Sequence, residues 1–334
     1  AEYINKAAKT PESKFAAIVP VEKKHYYGLS SGQKRLYVLQ QMDPLKTFYN
    51  IPIIFVLAGR IDAVRLEDTF INLIQRHESL RTSFVMVEGE PVQVVHDEVE
   101  FKIEQTKVFG SPEPFFQKGF WPPEAIIKRF IRPFDLSQAP LLRVGLIQLQ
   151  YTPGASQVQE GNSQDKHLLM VDLHHIVSDG TSIDVLLEDF TSLYSGEQLP
   201  VQWIRYKDFS EWQRSGKERE KIKAQEVYWL KTLGGEIPSL NLPIDYPRPV
   251  VRSFAGSALE FEIPIEQSRG LKKLALDTQT TLFMVLLAVY TILLSKLGGQ
   301  EEIVVGTPVA GRRYPGLERV TGMFVNMLAL RNFP

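Results

Sequence analysis

The chain has 334 residues, 44% of them hydrophobic and 23% charged, which is enough apolar material for roughly two globular domains with cores. Its net charge of −1 gives no broad electrostatic attraction to nucleic acid or to an anionic membrane. Cysteine is absent, which excludes disulfides, thiolate zinc sites and a cysteine nucleophile, and which fits a cytoplasmic protein.

The first 200 residues alternate between helical and strand-like patterns. The N-terminal stretch lacks the long apolar centre of a signal peptide. Apolar periodicity and turn residues predict the following elements in chain order: a helix over 30–42 capped by Ser30 or Ser31, a strand over 50–59, a helix from Asp62 to about His77, a hairpin over 81–97 folded at 88–91, a short helix near 124–131, a strand pair over 141–150 and 166–175, and a helix from about Thr181 to Tyr194.

The rest of the chain repeats this alternation after a boundary placed at 195–200. The elements predicted there are a charged helical stretch over 206–233, a strand over 258–264, helices over 266–278 and 281–297, and a strand over 301–306. The apolar run 282–294 is too short to cross a bilayer, which needs roughly 20 residues, so we expect a buried core helix. Two α/β lobes follow from this order.

The stretch "MVDLHHIVSDGTS", 170–182, places two of the six histidines side by side at the end of a predicted strand. Alternation puts His174 and His175 on opposite faces, so the pair cannot share one metal while the strand lasts. Two packed core histidines remain an alternative. Because catalytic groups often lie at strand ends and histidine titrates near neutral pH, we favour an acid/base centre, with Asp179 bracing the turn through an arginine.

Two other catalytic or binding motifs fail on their residues. "GTPVAGRR", 306–313, follows a strand and mimics a phosphate-binding loop, but Arg312 and Arg313 replace the required lysine and hydroxyl residue. The chain also contains no G-x-S-x-G, so a serine triad has no nucleophile elbow. Neither nucleotide binding nor serine hydrolysis is expected.

Five short motifs occur in a fixed order along the chain. "HHIVSDG" matches HHxxxDG, of which related acyltransferases share a shorter form, HxxxD. The other four are "LSSGQKRLYVL" (29–39), "RHESLRTSF" (76–84), "YKDFSEW" (206–212) and "GMFVNMLALR" (322–331). Together they resemble the condensation domains of nonribosomal peptide synthetases, over about residues 25–332.

The resemblance implies a fold and domain limits. The fold is α/β, with two chloramphenicol-acetyltransferase-like sandwich lobes in a V-shaped pseudo-dimer and a tunnel between them. The lobes are expected at 21–194 and 195–334, and residues 1–20 resemble the tail of an upstream carrier domain and a linker. Since the family's later motifs are missing after "RNFP", we expect the second lobe to be incomplete.

The resemblance also implies an activity and its partners. A donor aminoacyl or peptidyl thioester passes to the α-amine of an acceptor aminoacyl thioester, and a peptide bond forms. Both substrates ride on 4′-phosphopantetheine arms of upstream and downstream peptidyl carrier proteins, beside an adenylation domain of the same synthetase. No directly bound cofactor, metal, nucleic acid or membrane is implied.

The residues that match the family's motifs take their expected roles from it. The resemblance places His175 at the reaction centre as a base or a positioner, with His174 and Asp179 in support and Gly180 beside the reacting carbonyl. Either Arg76 or Arg81, both in the second motif, is the expected ion-pair partner of Asp179. Support of the substrate tunnel is expected from Ser178, Asn326, Arg76 and Arg81.

Departures from the family pattern define the alternatives. Thr181 stands where tryptophan often follows Asp-Gly, and "SDGTS" leans towards an L-configured donor. An epimerase is disfavoured because its usual Ser-Trp is lacking, and a heterocyclising domain is excluded because it replaces both histidines with aspartate. An acyl-CoA-dependent acyltransferase and a non-catalytic docking domain of the same fold remain alternatives.

Overall fold

The computed structural model describes residues 18–110, 124–151, 166–250 and 256–334. Helices in these ranges are α1 (Ser31–Met42), α2 (Ala63–Arg76), α3 (Glu124–Phe130), α4 (Gly180–Ser195), α5 (Tyr206–Gln213), α6 (Gly216–Thr232), α7 (Ile265–Asp277) and α8 (Leu282–Gly298). Strands are β1 (Tyr27–Gly28), β2 (Asn50–Ala58), β3 (Thr82–Val87), β4 (Glu90–Val95), β5 (Glu104–Gly110), β6 (Leu142–Tyr151), β7 (Lys166–His174), β8 (Ile303–Val309) and β9 (Asn326–Asn332).

A four-stranded sheet with the order β2-β7-β6-β5 forms the centre of the first compact unit. β7 runs antiparallel to both neighbours, and its last residue, His174, lies opposite Asn50 of β2. β5 pairs parallel to β6 at the edge and was not predicted from the sequence. Its stretch "EQTKVFG" is largely polar because an edge strand needs no continuous apolar pattern. The other three strands confirm the prediction.

Helices cover both faces of this sheet, which makes it an α/β sandwich. Leu169, Val171 and Leu173 of β7 pack in one apolar cluster with side chains of α2 and α4. Leu168 and Met170 point to the other face, where they pack against Phe130 of α3. This strict alternation follows from the two-residue period of a strand. The same alternation determines the faces on which His174 and His175 lie.

A second apolar cluster unites the small sheet β1-β4-β3 with more distant segments. It contains residues from α1, the turn after β7, α5 and the segment 310–326 between β8 and β9, namely Leu36, Tyr37, Phe84, Ile176, Val177, Tyr206, Phe209, Leu317, Val320, Met323 and Phe324. All five sequence motifs therefore place residues in this cluster, and the residue from "RHESLRTSF" is Phe84.

Gly322 permits the closest approach in this cluster. Its φ is +156°, and a Cβ there would overlap the ring of Tyr206. We expect Gly322→Ala to destabilise the protein by about 2 kcal/mol or more, because the ring is buried and has no room to move. Thermal unfolding measures this. Gly270→Ala, inside α7 with nothing near the added Cβ, is the control and should stabilise by up to about 1 kcal/mol; equal effects would contradict the packing argument.

The chain divides into two compact units, 1–220 with 310–326 and 221–309 with 327–334. The sequence places its boundary at 195–200 instead, and the lobe limits stay a prediction. The predicted charged helix over 206–233 is interrupted between α5 and α6, where Ser215 and Gly216 are poor helix formers. Residues 1–17 of the predicted carrier-domain tail and linker (1–20) and the segment 152–165 after β6 lie outside the described residues.

The second unit contains α7, α8, β8 and most of β9. Helix α8 confirms the predicted helix but not its burial, because Phe283, Tyr290 and Leu293 are about half exposed. Its packing partners in the described part of this unit are α7 and β8. Residues 258–264, predicted as a strand, form neither a strand nor a helix, so this prediction was wrong. No described helix alone is long and apolar enough to cross a membrane; α7 and α8 qualify only together, across a bend of 110°.

Candidate active site

The two adjacent histidines lie at the end of β7 in different surroundings. His174 is completely buried, with the edge of its ring against Phe134 and with Tyr49 also nearby. His175 extends the pairing with β2 by one bond, from its backbone N–H to the carbonyl of Tyr49 (2.7 Å), and its side chain is partly exposed. The faces differ as strand alternation predicts.

The hydrogen bonds of His174 fix its protonation state. Its Nδ1 accepts from the backbone N–H of Ile176 at 3.1 Å, so the ring proton must sit on Nε2. Nε2 lies 3.4 Å from Oε1 of Gln40, which can accept that proton's hydrogen bond. Burial, followed by the electrostatic interactions with His175 and Arg143, lowers the pKa of His174 to about 3. His174 is therefore a neutral side chain that holds the turn after β7.

The buried neutral state of His174 predicts a pH dependence of stability. With a pKa of about 3 in the folded protein and 6.5 as its ordinary value, the unfolded chain binds the extra proton between these values. Stability therefore falls as the pH drops through this window, by about 2 kcal/mol at pH 5. His174→Asn keeps an acceptor for Ile176 and should remove this part of the slope.

Urea unfolding at pH 7.5 and pH 5 measures the difference between wild type and His174→Asn. Other titrating groups, such as Asp172, whose pKa burial raises to about 6, are common to both proteins and cancel. His25→Asn is the control because His25 is exposed, and it should keep the wild-type slope. An unchanged slope in His174→Asn would contradict the neutral buried state.

The backbone of His175 is held by hydrogen bonds on both sides, whereas its ring is partly exposed. Its Nδ1 is buried and has no hydrogen-bond partner among the described residues. The turn that follows is closed by bonds from Val177 N–H to the His174 carbonyl and from Ser178 N–H to the His175 carbonyl. A partly exposed imidazole on a rigid strand end is able to contact a bound substrate.

Asp179 caps α4 and forms a buried ion pair. Its Oδ1 accepts from the backbone and hydroxyl of Ser182, at 2.9 and 2.7 Å. Arg312 donates to both carboxylate oxygens, at 2.8 and 2.9 Å, and the N–H of Phe324 adds a bond of 3.0 Å. Burial would raise the pKa of Asp179, but the bonds and charge of Arg312 and the bonds of Ser182 together hold it below its ordinary value.

The partner of Asp179 differs from the two arginines expected. Arg76, at the end of α2, bonds instead to Asp189 at 2.7 Å, about three turns further along α4. Arg81 contacts Glu78 and the carbonyl of His96. The expectation of Arg76 or Arg81, which followed from the resemblance, was wrong, because Arg312 reaches Asp179 from the loop after β8. In the sequence, Arg312 drew attention only because it occupies the lysine position of a phosphate-binding loop in "GTPVAGRR".

The remaining predicted site residues occupy three different settings. Gly180 is the exposed first residue of α4, with open space where a Cβ would stand. Ser178 is fully buried, and its Oγ has no partner among the described residues. Asn326 begins β9, where its Oδ1 accepts from Arg35 of α1 at 3.0 Å. Its predicted role in the tunnel stays a prediction.

A hydrogen-bonded chain joins three of the motifs and was not foreseen. Ser30, the N-cap of α1, lies 2.8 Å from the hydroxyl of Tyr206, which donates to the carbonyl of Met323 at 2.6 Å. Nearby, the buried Asp208 accepts from the backbone of Val21 and Arg205. A serine and a tyrosine in separate motifs signal a hydroxyl pair only once the fold is known. The bonds of Ser30, Tyr206 and Met323 join the first, fourth and fifth motifs.

A metal centre has no basis in the described geometry. No group of three or more histidine or acidic side chains within 18–110, 124–151, 166–250 and 256–334 is arranged to hold an ion. An apolar cavity of about 210 Å³ lies between the central sheet and helices α2 and α4. Its lining includes neither motif histidine, so it is separate from the candidate site.

Comparison with known proteins identifies close sequence relatives. The family model "Condensation domain" matches residues 23–332. Tyrocidine synthase 3 of Brevibacillus parabrevis is 49% identical over 320 residues, which are 96% of this chain, and bacitracin synthase 3 of Bacillus licheniformis is 46% identical over 97% of it. The chain spans 5% of the length of each of these relatives.

Solved structures show the same fold at low sequence identity. The X-domain from teicoplanin biosynthesis superposes with a TM-score of 0.78 and 22% identity, covering 95% of this chain and 68% of that one. The first condensation domain of the CDA synthetase gives 0.66 at 21% identity, covering 93% and 72%. These likenesses confirm the predicted α/β fold class. The V-shaped arrangement and the incomplete second lobe stay predictions.

Proposed function

Because the chain belongs to the condensation-domain family, we propose that it forms peptide bonds in nonribosomal peptide synthesis. The α-amine of an acceptor aminoacyl thioester attacks the donor's thioester carbonyl, the amide forms, and the donor carrier's thiol leaves. The observation that carries this proposal is the difference in environment between the two adjacent histidines. His174 is a buried, neutral support, and His175 is a partly exposed imidazole whose Nδ1 has no hydrogen-bond partner among the described residues.

The chemistry demands little of the side chains. A thioester is already activated, and an α-amine with a pKa near 8 is partly neutral at physiological pH. Holding the two reactants together supplies most of the acceleration. His175 accepts a hydrogen bond or the proton from the attacking amine, and Gly180 leaves room for the carbonyl because it carries no side chain.

Asp179 and Arg312 serve this arrangement by position rather than by chemistry. Both side chains are buried and pair with each other. Arg312 also donates to the Ser182 hydroxyl, and Asp179 accepts from the Phe324 amide. They fix the start of α4, and with it Gly180 and the turn that carries His175. Neither side chain acts as an acid or base in the proposed reaction.

The proposed partners are two peptidyl carrier proteins, one for each substrate, and the adenylation domain that loads the acceptor. Each carrier delivers its substrate on a 4′-phosphopantetheine arm, so the protein itself needs no bound cofactor. The identities of 49% and 46% to segments of tyrocidine synthase 3 and bacitracin synthase 3 support this context.

The test combines the protein with a donor-loaded and an acceptor-loaded carrier and follows the intact mass of each. The acceptor carrier should gain the donor's acyl mass while the donor carrier returns to its free-thiol mass. A protein that instead consumes an acyl-CoA without any carrier would be the alternative acyltransferase. Loaded carriers that remain unchanged in mass would contradict the proposal and favour a docking role.

A further inference from the structure

Helix α4 carries three buried polar side chains on one side. Asp179, Ser182 and Asp189 are each no more than 1% exposed. Asp189 follows Ser182 by seven residues, or about two turns, so both face the same way, and it lies about 15 Å along the axis from Asp179. All three bond to the segment 310–326, the return segment between β8 and β9 that also holds Gly322 and Phe324.

The first anchor of this return segment is at the start of α4. There Arg312 pairs with Asp179, the Gly322 N–H donates to the Ser182 hydroxyl at 3.0 Å, and the Gly322 carbonyl lies 3.0 Å from the same hydroxyl. This anchor belongs to the candidate active site. It fixes both the arginine and the backbone that precedes Asn326.

The second anchor lies at Asp189, which no sequence motif includes. Arg319 of the return segment donates to its Oδ1. Oδ2 accepts from Arg76 at 2.7 Å and lies 2.9 Å from Nε2 of His77. A fully buried carboxylate is tolerated only when such partners compensate its lost hydration. The carboxylate therefore ties the return segment to the end of α2.

A neighbouring hydroxyl pair reinforces this anchor. The hydroxyl of Thr321, two residues after Arg319, lies 2.6 Å from that of Ser79 and 3.3 Å from Nδ1 of His77. Arg319 and Thr321 are thus held at this anchor, seven and nine residues after Arg312 in the same segment. Releasing Arg319 would free the loop to shift relative to Asp179.

We propose that Arg319, through Asp189, is a positioning residue that sets the register of the return segment on α4, and so the placement of Arg312 against Asp179. Its effect on catalysis rests on the proposed function. Positioning errors of about 1 Å can cost on the order of 100-fold in rate, so a loosened segment should slow the reaction. Arg319 does not touch the reactants in this account.

Substitutions of Arg319 and of its exposed partner Glu188 separate this role from a general effect of surface charge. Arg319→Gln removes the bond to Asp189, while Arg319→Lys keeps the charge. Glu188→Gln is the matched control, because Glu188 is the exposed second partner of Arg319 (2.7 Å) and leaves Asp189 untouched. Arg319 is about half exposed, so a glutamine or lysine side chain at this position can reach the solvent.

Hydrogen exchange of the Gly322 and Phe324 amides reports the register directly. In Arg319→Gln both should exchange at least 10-fold faster, while amides of β7 keep their wild-type rates. Arg319→Lys should fall between, and Glu188→Gln should match the wild type. Wild-type protection in Arg319→Gln would overturn the inference. If that variant does not fold, wild-type protection in Arg319→Lys together with full activity would overturn it equally.

Amide formation between loaded carriers supplies the functional readout. We expect Arg319→Gln to lower kcat about 10-fold or more with little change in KM, and Glu188→Gln to leave both unchanged. Faster exchange with an unchanged kcat would overturn the positioning role. If the wild type forms no amide at all, the proposed function fails, whereas the exchange measurement still decides whether Arg319 anchors the segment.

Discussion

Asp179→Ala should cost the protein much of its stability, by about 4 kcal/mol or more. The substitution leaves Arg312, only 6% exposed, as a buried charge without its carboxylate partner. Breaking one side of a buried ion pair typically costs 3–5 kcal/mol, and loss of the helix cap adds about 1 kcal/mol. Against a total of roughly 5–15 kcal/mol, this is a large fraction. Thermal unfolding and soluble yield measure the effect.

A matched control separates the ion pair from the cap. Asp62 is also an aspartate N-cap, with bonds to the backbone of Val64 and Arg65, but it is exposed. Asp62→Ala should therefore cost only about 1 kcal/mol. Equal losses in Asp62→Ala and Asp179→Ala would show that the Arg312 pair contributes little, and would contradict its proposed role in holding the start of α4.

His175→Ala should lower the single-turnover rate of amide formation by about 10²–10⁴-fold, the range that general acid–base groups supply. The melting temperature should change little, because the His175 ring is partly exposed and its Nδ1 has no partner among the described residues. A residual rate is expected, since bringing two tethered reactants together accelerates the reaction without the imidazole.

The control for this substitution is His25→Ala, which removes an exposed imidazole far along the chain from the motif. It should retain the wild-type rate. Turnover at the wild-type rate in His175→Ala would remove this residue from the catalytic machinery. A large fall in melting temperature would instead make its role structural.

Local patterns predicted the elements that position the site. The alternation in "HLLMVDLHH" placed the two histidines on opposite faces, and the structure has His174 buried and His175 partly exposed. Ser30 or Ser31 was expected as a helix cap, and Ser30 forms a capping box with Gln33. Such features depend on neighbours within a few residues, which is why the sequence alone carries them.

Contacts between distant segments could not be predicted in the same way. The partner of Asp179 is 133 residues away, and the three bonding partners of Asp189 come from α2 and the return segment. Any of the buried or half-buried arginines satisfies the chemistry, so only the fold selects Arg312. The edge strand β5 was missed because its polar residues carry no alternation, while its pairing with β6 is set by the sheet.

The central claim is that the two adjacent imidazoles divide their roles, with His174 holding the turn and His175 meeting the reactants. Single-turnover amide formation by His174→Asn and His175→Asn, two identical substitutions one residue apart, tests it most directly. At pH 7.5 the account predicts a loss of about 100-fold or more for His175→Asn and only a few-fold for His174→Asn. The reverse order, or equal losses in two folded variants, would contradict it.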